Sequence, residues 1–279
     1  MSELHPGRAA VLLAAVLLAP APISAQDWHT VTQSRALADQ SELRVNVEYG
    51  AGRFVVGAAG AGVLYRTRLR YDADVFTPSL RYTSNRLRIG LEGGRIRGRN
   101  FRAGELNLDL SPAIPLDLEF RFGAGEAEME LGGLRIRSLD MATGASRTTL
   151  RVSQPNPDAA RSATLNIGAA QFAAYGLGNL NAERIAVSGG VGEVVLDFAG
   201  EWRRNASAKI EMGLGSLTIR VPKGLGVQIR RGGILAGFDG QGLLKRGNVY
   251  YSENWDDASR RLSIDLEAAL GTVRVAWVD

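Results

Sequence analysis

Cysteine is absent from the 279 residues, and histidine is limited to His5 and His29. No disulfide, thiolate metal site or cysteine nucleophile can form. One histidine beyond residue 25 argues against a His-dependent triad and a multi-His metal site. Aromatic residues are sparse, at 7%. Past the N-terminus no apolar run approaches the 18 or so residues that a membrane-crossing helix needs. A chain of this length can bury a sizeable core, and without disulfides it must be held by packing alone. What the sequence has in quantity is glycine, 34 residues of it.

Residues 1–25 read as an export signal. Arg8 is followed by an unbroken apolar run from Ala9 to Ala19, which Pro20 and Pro22 end. Ile23-Ser24-Ala25 places a small residue at a cut before Gln26. An eleven-residue apolar helix is about 16 Å long, too short for a bilayer core of roughly 30 Å. The expectation is an exported protein, periplasmic or at the cell surface, with no transmembrane segment in the mature chain.

From residue 43 the hydrophobic pattern has period two. Leu43, Val45, Val47 and Tyr49 alternate with polar residues, and Gly50-Ala51-Gly52 follows. The same phrase recurs around Gly123-Ala124-Gly125, Gly190-Val191-Gly192 and Gly213-Leu214-Gly215, and a last copy surrounds Leu270-Gly271. Ala170 and Gly192 lie 22 residues apart, Gly192 and Gly215 lie 23 apart. A fixed period in an all-β chain marks a repeat. Two architectures suit it. One is a β-solenoid or roll with Gly-x-Gly corners, which the regular spacing favours. The alternative is a hairpin-built β-sandwich with Gly-x-Gly as the hairpin loop. The stretch between the first two phrases is expected to hold degenerate coils. Thr30 to Ser41 reads as one or two amphipathic helical turns, and His29 as part of a mobile end. Ser111-Pro112-Ala113-Ile114-Pro115 marks an internal boundary, since two prolines do not suit a central strand. The expected division is a signal at 1–25, an Arg-rich β domain at 26–111 and a solenoid-like β domain at 112–279.

Several stretches carry a family resemblance. They are Leu116 to Leu134, Gly176-Leu177-Gly178-Asn179, Gly189 to Gly200, and Val221-Pro222 followed by Gly224-Leu225-Gly226-Val227. These resemble the toast-rack domain proteins, which are similar to the C-terminal domain of the cell-wall-active antibiotic response proteins. Gly50-Ala51-Gly52, Leu64-Tyr65 and Tyr71-Asp72 resemble the toast-rack N-terminal domain. The resemblance implies a β-rich, solenoid-like envelope protein. It supplies no catalytic residues, because the matching positions are glycine and apolar. Some relatives take part in envelope-stress signalling and carry transmembrane helices before this domain. This chain has only the signal-like segment.

Charge is unevenly placed. The whole chain is +4, whereas residues 53–102 hold eleven arginines against Asp72, Asp74 and Glu92. Arg66, Arg68 and Arg70 are spaced by two, as are Arg86 and Arg88, and Arg95, Arg97 and Arg99. On strands, each set shares one face. Stacked strands would make a guanidinium ladder, suited to phosphate or carboxylate. These eight arginines are the candidate anion-binding residues. Their expected partner is an anionic lipid or glycan of the envelope, or another envelope protein. The plainer reading is a solvated face whose charge discourages edge pairing. Nucleic acid is not expected, since no aromatic-basic module is visible.

Other constellations read as structural. Glu126, Glu128 and Glu130 share one strand face, with Arg135 and Arg137 after a Gly132-Gly133 turn, and read as a salt ladder. Asp256-Asp257 beside Trp255 reads as a turn. Glu193 and Asp197 are too far apart to act as a pair unaided. Ser207 and Lys209 lack an oxyanion site. The expectation is therefore a non-catalytic protein without cofactor or metal, structural or binding in role. The rivals are a β-helix enzyme acting on polysaccharide and an adhesin. An enzyme would bring an acidic pair and the arginines into one cavity.

Overall fold

The computed structural model describes residues 27–93, 104–232 and 235–279. The export signal and its cut lie outside the described residues, as do Arg95, Arg97 and Arg99. In chain order the N-terminal strands are β1 (Trp28–Ala36), β2 (Leu43–Ala58), β3 (Val63–Asp72), β4 (Phe76–Thr83), β5 (Arg86–Gly93) and β6 (Gly104–Leu110). Five long strands follow: β7 (Pro115–Glu130), β8 (Arg135–Arg151), β9 (Ala160–Tyr175), β10 (Ala182–Asp197) and β11 (Ala206–Pro222). The last are β12 (Gly226–Gly232), β13 (Leu235–Asp239), β14 (Leu243–Arg246), β15 (Val249–Ser252) and β16 (Arg261–Val278). Among the described residues the helical content is one 3₁₀ turn, Leu177–Leu180.

All sixteen strands join in one open sheet. Its long strands run parallel, β2-β7-β8-β9-β10-β11-β16. Parallel neighbours cannot be joined by a hairpin loop, so the solenoid-like roll holds and the hairpin sandwich does not. Strand lengths show how it rolls. β7 has 16 residues, about 53 Å if straight at roughly 3.3 Å per residue. β8 starts beside the start of β7, yet only residues 131–134 connect them. Four residues span at most roughly 17 Å. Each long strand must therefore double back at its middle, where Gly-x-Gly stands. Its first half lies in a front wall and its second half in a back wall, with the core between.

The corner also resets the alternation. Leu116, Leu118, Phe120 and Phe122 are buried at even positions before it, Ala127 and Met129 at odd positions after it. Both walls thus present an apolar face to one interior. Gly125, Gly192, Gly215 and Gly271 sit at positive φ. Gly192 pairs with Gly215, and Gly215 with Gly271. At Gly215 a methyl group would land on the carbonyl of Gly192 in the rung below, so only glycine suits both the dihedral and the space.

The ends of the stack depart from sequence order. At one end β5 pairs with the front half of β2, and β6 with its back half. They form one rung, split by residues 94–103. At the other end β16 inserts between β11 and the split rung β12/β13. Nine rungs stack to about 38 Å at roughly 4.8 Å each. Antiparallel ribbons flank the ends: β3 and β1 beside β6, β4 beside β5, and β15 and β14 beside β12. The stretch between the first two glycine phrases thus holds one split coil and two antiparallel strands rather than degenerate coils alone. Thr30 to Ser41 is not helical: most of it is β1, paired with β3. His29 is held in that strand, its ring 6.1 Å from that of Tyr71.

Return turns carry their own ladder. Asn156 is buried, donates to the carbonyls of Ile136 and Leu180, and accepts from the Ile136 amide. Asn179 donates to the Val152 carbonyl one rung away. These side chains supply the hydrogen bonds that irregular buried backbone cannot find in a sheet. β2 and β7 pair along nearly their full length across the 111/112 boundary, and one contiguous core runs through both parts.

Candidate anion-binding site

The candidate arginines fall on different walls. Tyr65, Thr67 and Leu69 point into the core, so Arg66, Arg68 and Arg70 face outward from the back wall. Leu87 and Ile89 are buried, so Arg86 and Arg88 face outward from the front wall. A single ladder does not form, and Arg95, Arg97 and Arg99 lie outside the described residues.

Registers separate the two sets further. On the back wall Arg66 lies opposite Asp109, Arg68 opposite Asn107 and Arg70 opposite Glu105. The guanidinium of Arg70 also sits 4.3 Å above the Trp28 ring. The row continues with alternating charge: Glu105 beside Arg53, Arg53 beside Glu126, Glu126 beside Arg147.

The front wall has the reverse arrangement. β4 and β5 form a tight hairpin whose two loop residues, Ser84 and Asn85, both have positive φ. That turn geometry suits the twist of a two-residue hairpin, and Tyr82 braces it by donating to Asn85 Oδ1 at 3.0 Å. The hairpin places Arg81 opposite Arg88. On the other side of β5, Arg44 lies beside Arg86 and Asn46 beside Arg88. Like charges placed directly opposite destabilise a strand pair. Among the described residues no acid lies within ion-pair distance of Arg81, Arg86 or Arg88. Arg44 reaches Glu42 at 3.5 Å.

Two grooves flank Arg86 and Arg88. One, of about 440 Å³, is lined by Arg81, Thr83, Ser84, Arg86 and Arg88. Among the described residues it offers guanidinium and hydroxyl donors and no carboxylate. The second, of about 380 Å³, lies between Arg44, Arg86 and Arg88 on one side and Asp117, Glu119 and Asp140 on the other. An acidic pair and the arginines therefore do share a groove. Two of these acids, Asp117 and Glu119, are already engaged, however. Burial pushes the Asp117 carboxyl up, but hydrogen bonds from Ser138 (2.6 Å) and Arg137 (3.1 Å) and the charges of Arg137 and Arg161 outweigh it. Its pKa lies below the ordinary value. A hydrogen bond from Asn46 lowers that of Glu119 most, burial opposes it, and the hydrogen bond and charge of Arg121 add to the lowering, so that its pKa also lies below the ordinary value. Carboxylates held ionised in this way do not donate protons near neutrality. The groove offers charge recognition rather than acid catalysis.

Most of the remaining sequence candidates have structural partners. Glu128 pairs with Arg53 at 3.1 Å, Glu126 with Arg147 at 3.4 Å, and Glu130 accepts from Gly132 and Ser153. The salt ladder exists, but Arg135 and Arg137 leave it for Asp158, and for Asp117 and Glu42. Asp197 binds Arg220 at 3.3 Å and the Ala199 amide. The hydrogen bond and charge of Glu211 push the Lys209 ammonium above its ordinary pKa, so it stays charged rather than serving Ser207 as a base. Asp256 and Asp257 lie in a turn after Trp255. Among the described residues no cluster suited to a metal ion occurs, and no helix is long and apolar enough to cross a membrane. Sequence reasoning passed over Arg81 and Arg44 as site residues. Counting outward from a two-residue loop at Ser84-Asn85 pairs Arg81 with Arg88, so the signal was present.

Solved structures of similar shape include a "putative cell adhesion protein" of Clostridium sporogenes, 15% identical, covering 90% of this chain and 100% of that one, at a TM-score of 0.48. A "putative adhesin" of Bacteroides fragilis is 12% identical, covering 88% of this chain and 97% of that one, at 0.42. Another "putative adhesin", from Parabacteroides distasonis, is 11% identical with coverages of 88% and 97%, at 0.34. No curated protein sequence matches the chain. A sequence model described as the N-terminal domain of toast_rack, DUF2154, matches residues 23–173 and 156–220. With well over half of its length matched, the chain belongs to the toast_rack N-terminal domain family.

Proposed function

We propose that this is an exported, non-catalytic binding protein of the cell envelope, and that the Arg81, Arg86 and Arg88 groove holds an anionic envelope polymer. The observation that carries the reading is the opposition of Arg81 to Arg88 and of Arg44 to Arg86, with no acid among the described residues paired to Arg81, Arg86 or Arg88. A sheet surface that tolerates such repulsion gains from a bound anion that offsets it. Arg86 and Arg88 stand about 6.6 Å apart along β5, a spacing that successive charges of a polyanion or neighbouring lipid headgroups can match. Phosphate and carboxylate share the required chemistry, and the export signal would bring the protein to envelope lipids and acidic glycans alike. The engaged state of Asp117 and Glu119 favours this reading over a polysaccharide-cleaving enzyme. Part in a stress response would follow from occupancy of the same groove.

The test is retention of residues 26–279 on polygalacturonate and on vesicles containing phosphatidylglycerol, over a salt gradient. The expected result is retention on one of the two that falls steeply with salt and is lost in Arg86→Ala/Arg88→Ala. Retention on neither, or retention unchanged in that variant, overturns the proposal.

A further inference from the structure

A second surface lies at the other end of the stack and uses different chemistry. The middle residue of Gly-x-Gly projects outward at the corner. In the N-terminal rungs it is alanine: Ala51, Ala124 and Ala145 lie in register, with Ala169 beside Val191 in the rungs that follow. It then becomes Val191, Leu214 and Leu270, three consecutive rungs in register. These three are 51%, 47% and 49% exposed, and among the described residues they and Leu244 are the large exposed hydrophobic side chains. The fold has no need of them, since alanine builds the same corner four times. Three aligned aliphatic side chains in water point to a partner.

Beside this ridge the front wall is hollow. A trough of about 710 Å³ runs across β8, β9, β10, β11 and β16, floored by Gly168, Gly190 and Gly213. Five rungs make it about 19 Å long, room for about six residues of extended chain laid along the stack. Its rim and the far side of the ridge are acidic. Glu211 and Glu267 lie directly beside each other in register, and Glu193 follows Gly192 on the back wall. Glu211 is neutralised by Lys209 at 2.5 Å, whereas Glu193 and Glu267 have no ion pair among the described residues.

We propose that this ridge and trough bind an extended protein segment that alternates aliphatic with Lys or Arg side chains. Charge selects that occupant. Carboxylates on both flanks repel an anionic bilayer and a second acidic rim alike, and they attract cations set between apolar side chains. Area argues against a second copy of the chain: a strip about 19 Å long and one side chain wide is roughly 200 Å², against about 800 Å² per partner in a stable dimer. The aliphatic side chains of the segment would lie against Val191, Leu214 and Leu270 and fill the glycine floor, with its cations toward Glu193 and Glu267.

The probe is a fluorescein-labelled hexapeptide of alternating leucine and lysine, titrated with the purified chain and read by anisotropy. The expected result is saturable binding, weakened about tenfold or more in Val191→Ala/Leu214→Ala/Leu270→Ala, the loss of roughly 1.4 kcal/mol or more. Glu193→Gln/Glu267→Gln is expected to weaken it about threefold and flatten its salt dependence. Arg86→Ala/Arg88→Ala leaves it unchanged, which separates this site from the arginine groove. Equal binding of an alternating leucine-glutamate peptide, or no change in the triple alanine variant, overturns the proposal. So does a wild-type dimer that dissociates in the triple variant, or binding to phosphatidylglycerol vesicles that the triple variant loses. Alanine stands at four corners already, so the triple variant is expected to fold.

Discussion

The arginine-bearing strands at the N-terminal end of the stack, β3 and β5, have the same alternation and different neighbours. Arg66 and Arg70 on β3 look across at Asp109 and Glu105, and Arg70 also lies over Trp28. Arg88 on β5 looks across at Arg81, and Arg86 at Arg44. One set is arranged as a surface at rest. The other sets like charges against each other, which is what the proposed anion site rests on. Spacing within a strand decides which residues share a face, but the strand beside it decides what that face can bind. A cluster of basic residues becomes a candidate site only when its cross-strand partners fail to neutralise it.

This contrast can be broken most sharply by binding. Arg86→Ala/Arg88→Ala is expected to weaken polyanion binding by about tenfold or more, near 1.4 kcal/mol, whereas Arg66→Ala/Arg68→Ala changes it less than about twofold. Equal losses in the two variants would erase the distinction. Next in size is the acidic side of the front wall. Asp117 is expected to stabilise the fold by on the order of 1–2 kcal/mol at neutral pH through Ser138, Arg137 and Arg161. Its depressed pKa means that this contribution is present above the ordinary carboxylate range and disappears as pH falls through the folded-state value. Urea unfolding should therefore separate wild type from Asp117→Asn at pH 7 and bring them together in strong acid. The smallest effects are the most diagnostic. Arg88→Gln is expected to raise the stability of the free protein by about 0.5 kcal/mol, because it removes a like-charge pair. Arg70→Gln is expected to lower it by about 0.5 kcal/mol, through loss of the contact with Trp28 and of attraction to Glu105. Shifts of the same sign would show that the neighbouring strands do not matter.

Much of this architecture is readable in the sequence because glycine and alternation are local signals. The phrase around Gly123 to Gly125 names the strand, its corner and the reset of its buried face. The repeat between Gly192 and Gly215 is one rung of the stack, as their pairing shows. β1 was not readable. All nine of its residues are exposed or half-buried, so the strand carries no apolar alternation, and only pairing with β3 defines it. The arginine groove was half readable. Arg86 and Arg88 follow from spacing, but the opposition of Arg81 depends on the two-residue turn at Ser84-Asn85, and that of Arg44 on a parallel pairing with no trace in local sequence. The insertion of β16 between β11 and β12 is equally invisible, since a repeat pattern does not state the order in which its copies stack.

That insertion has a consequence for how the molecule comes to exist. β16 is an interior rung although it follows β12 to β15 in the sequence, so β11 and β12 cannot be bridged until its 18 residues have arrived. A chain emerging from its N-terminus can build rungs up to β11 and must then wait, with two bare parallel edges open to pairing with other chains. Completion is a long-range event, made slow by the closure it requires. Loss of β16 would split the stack rather than trim it, leaving β12 to β15 with no rung to rest on.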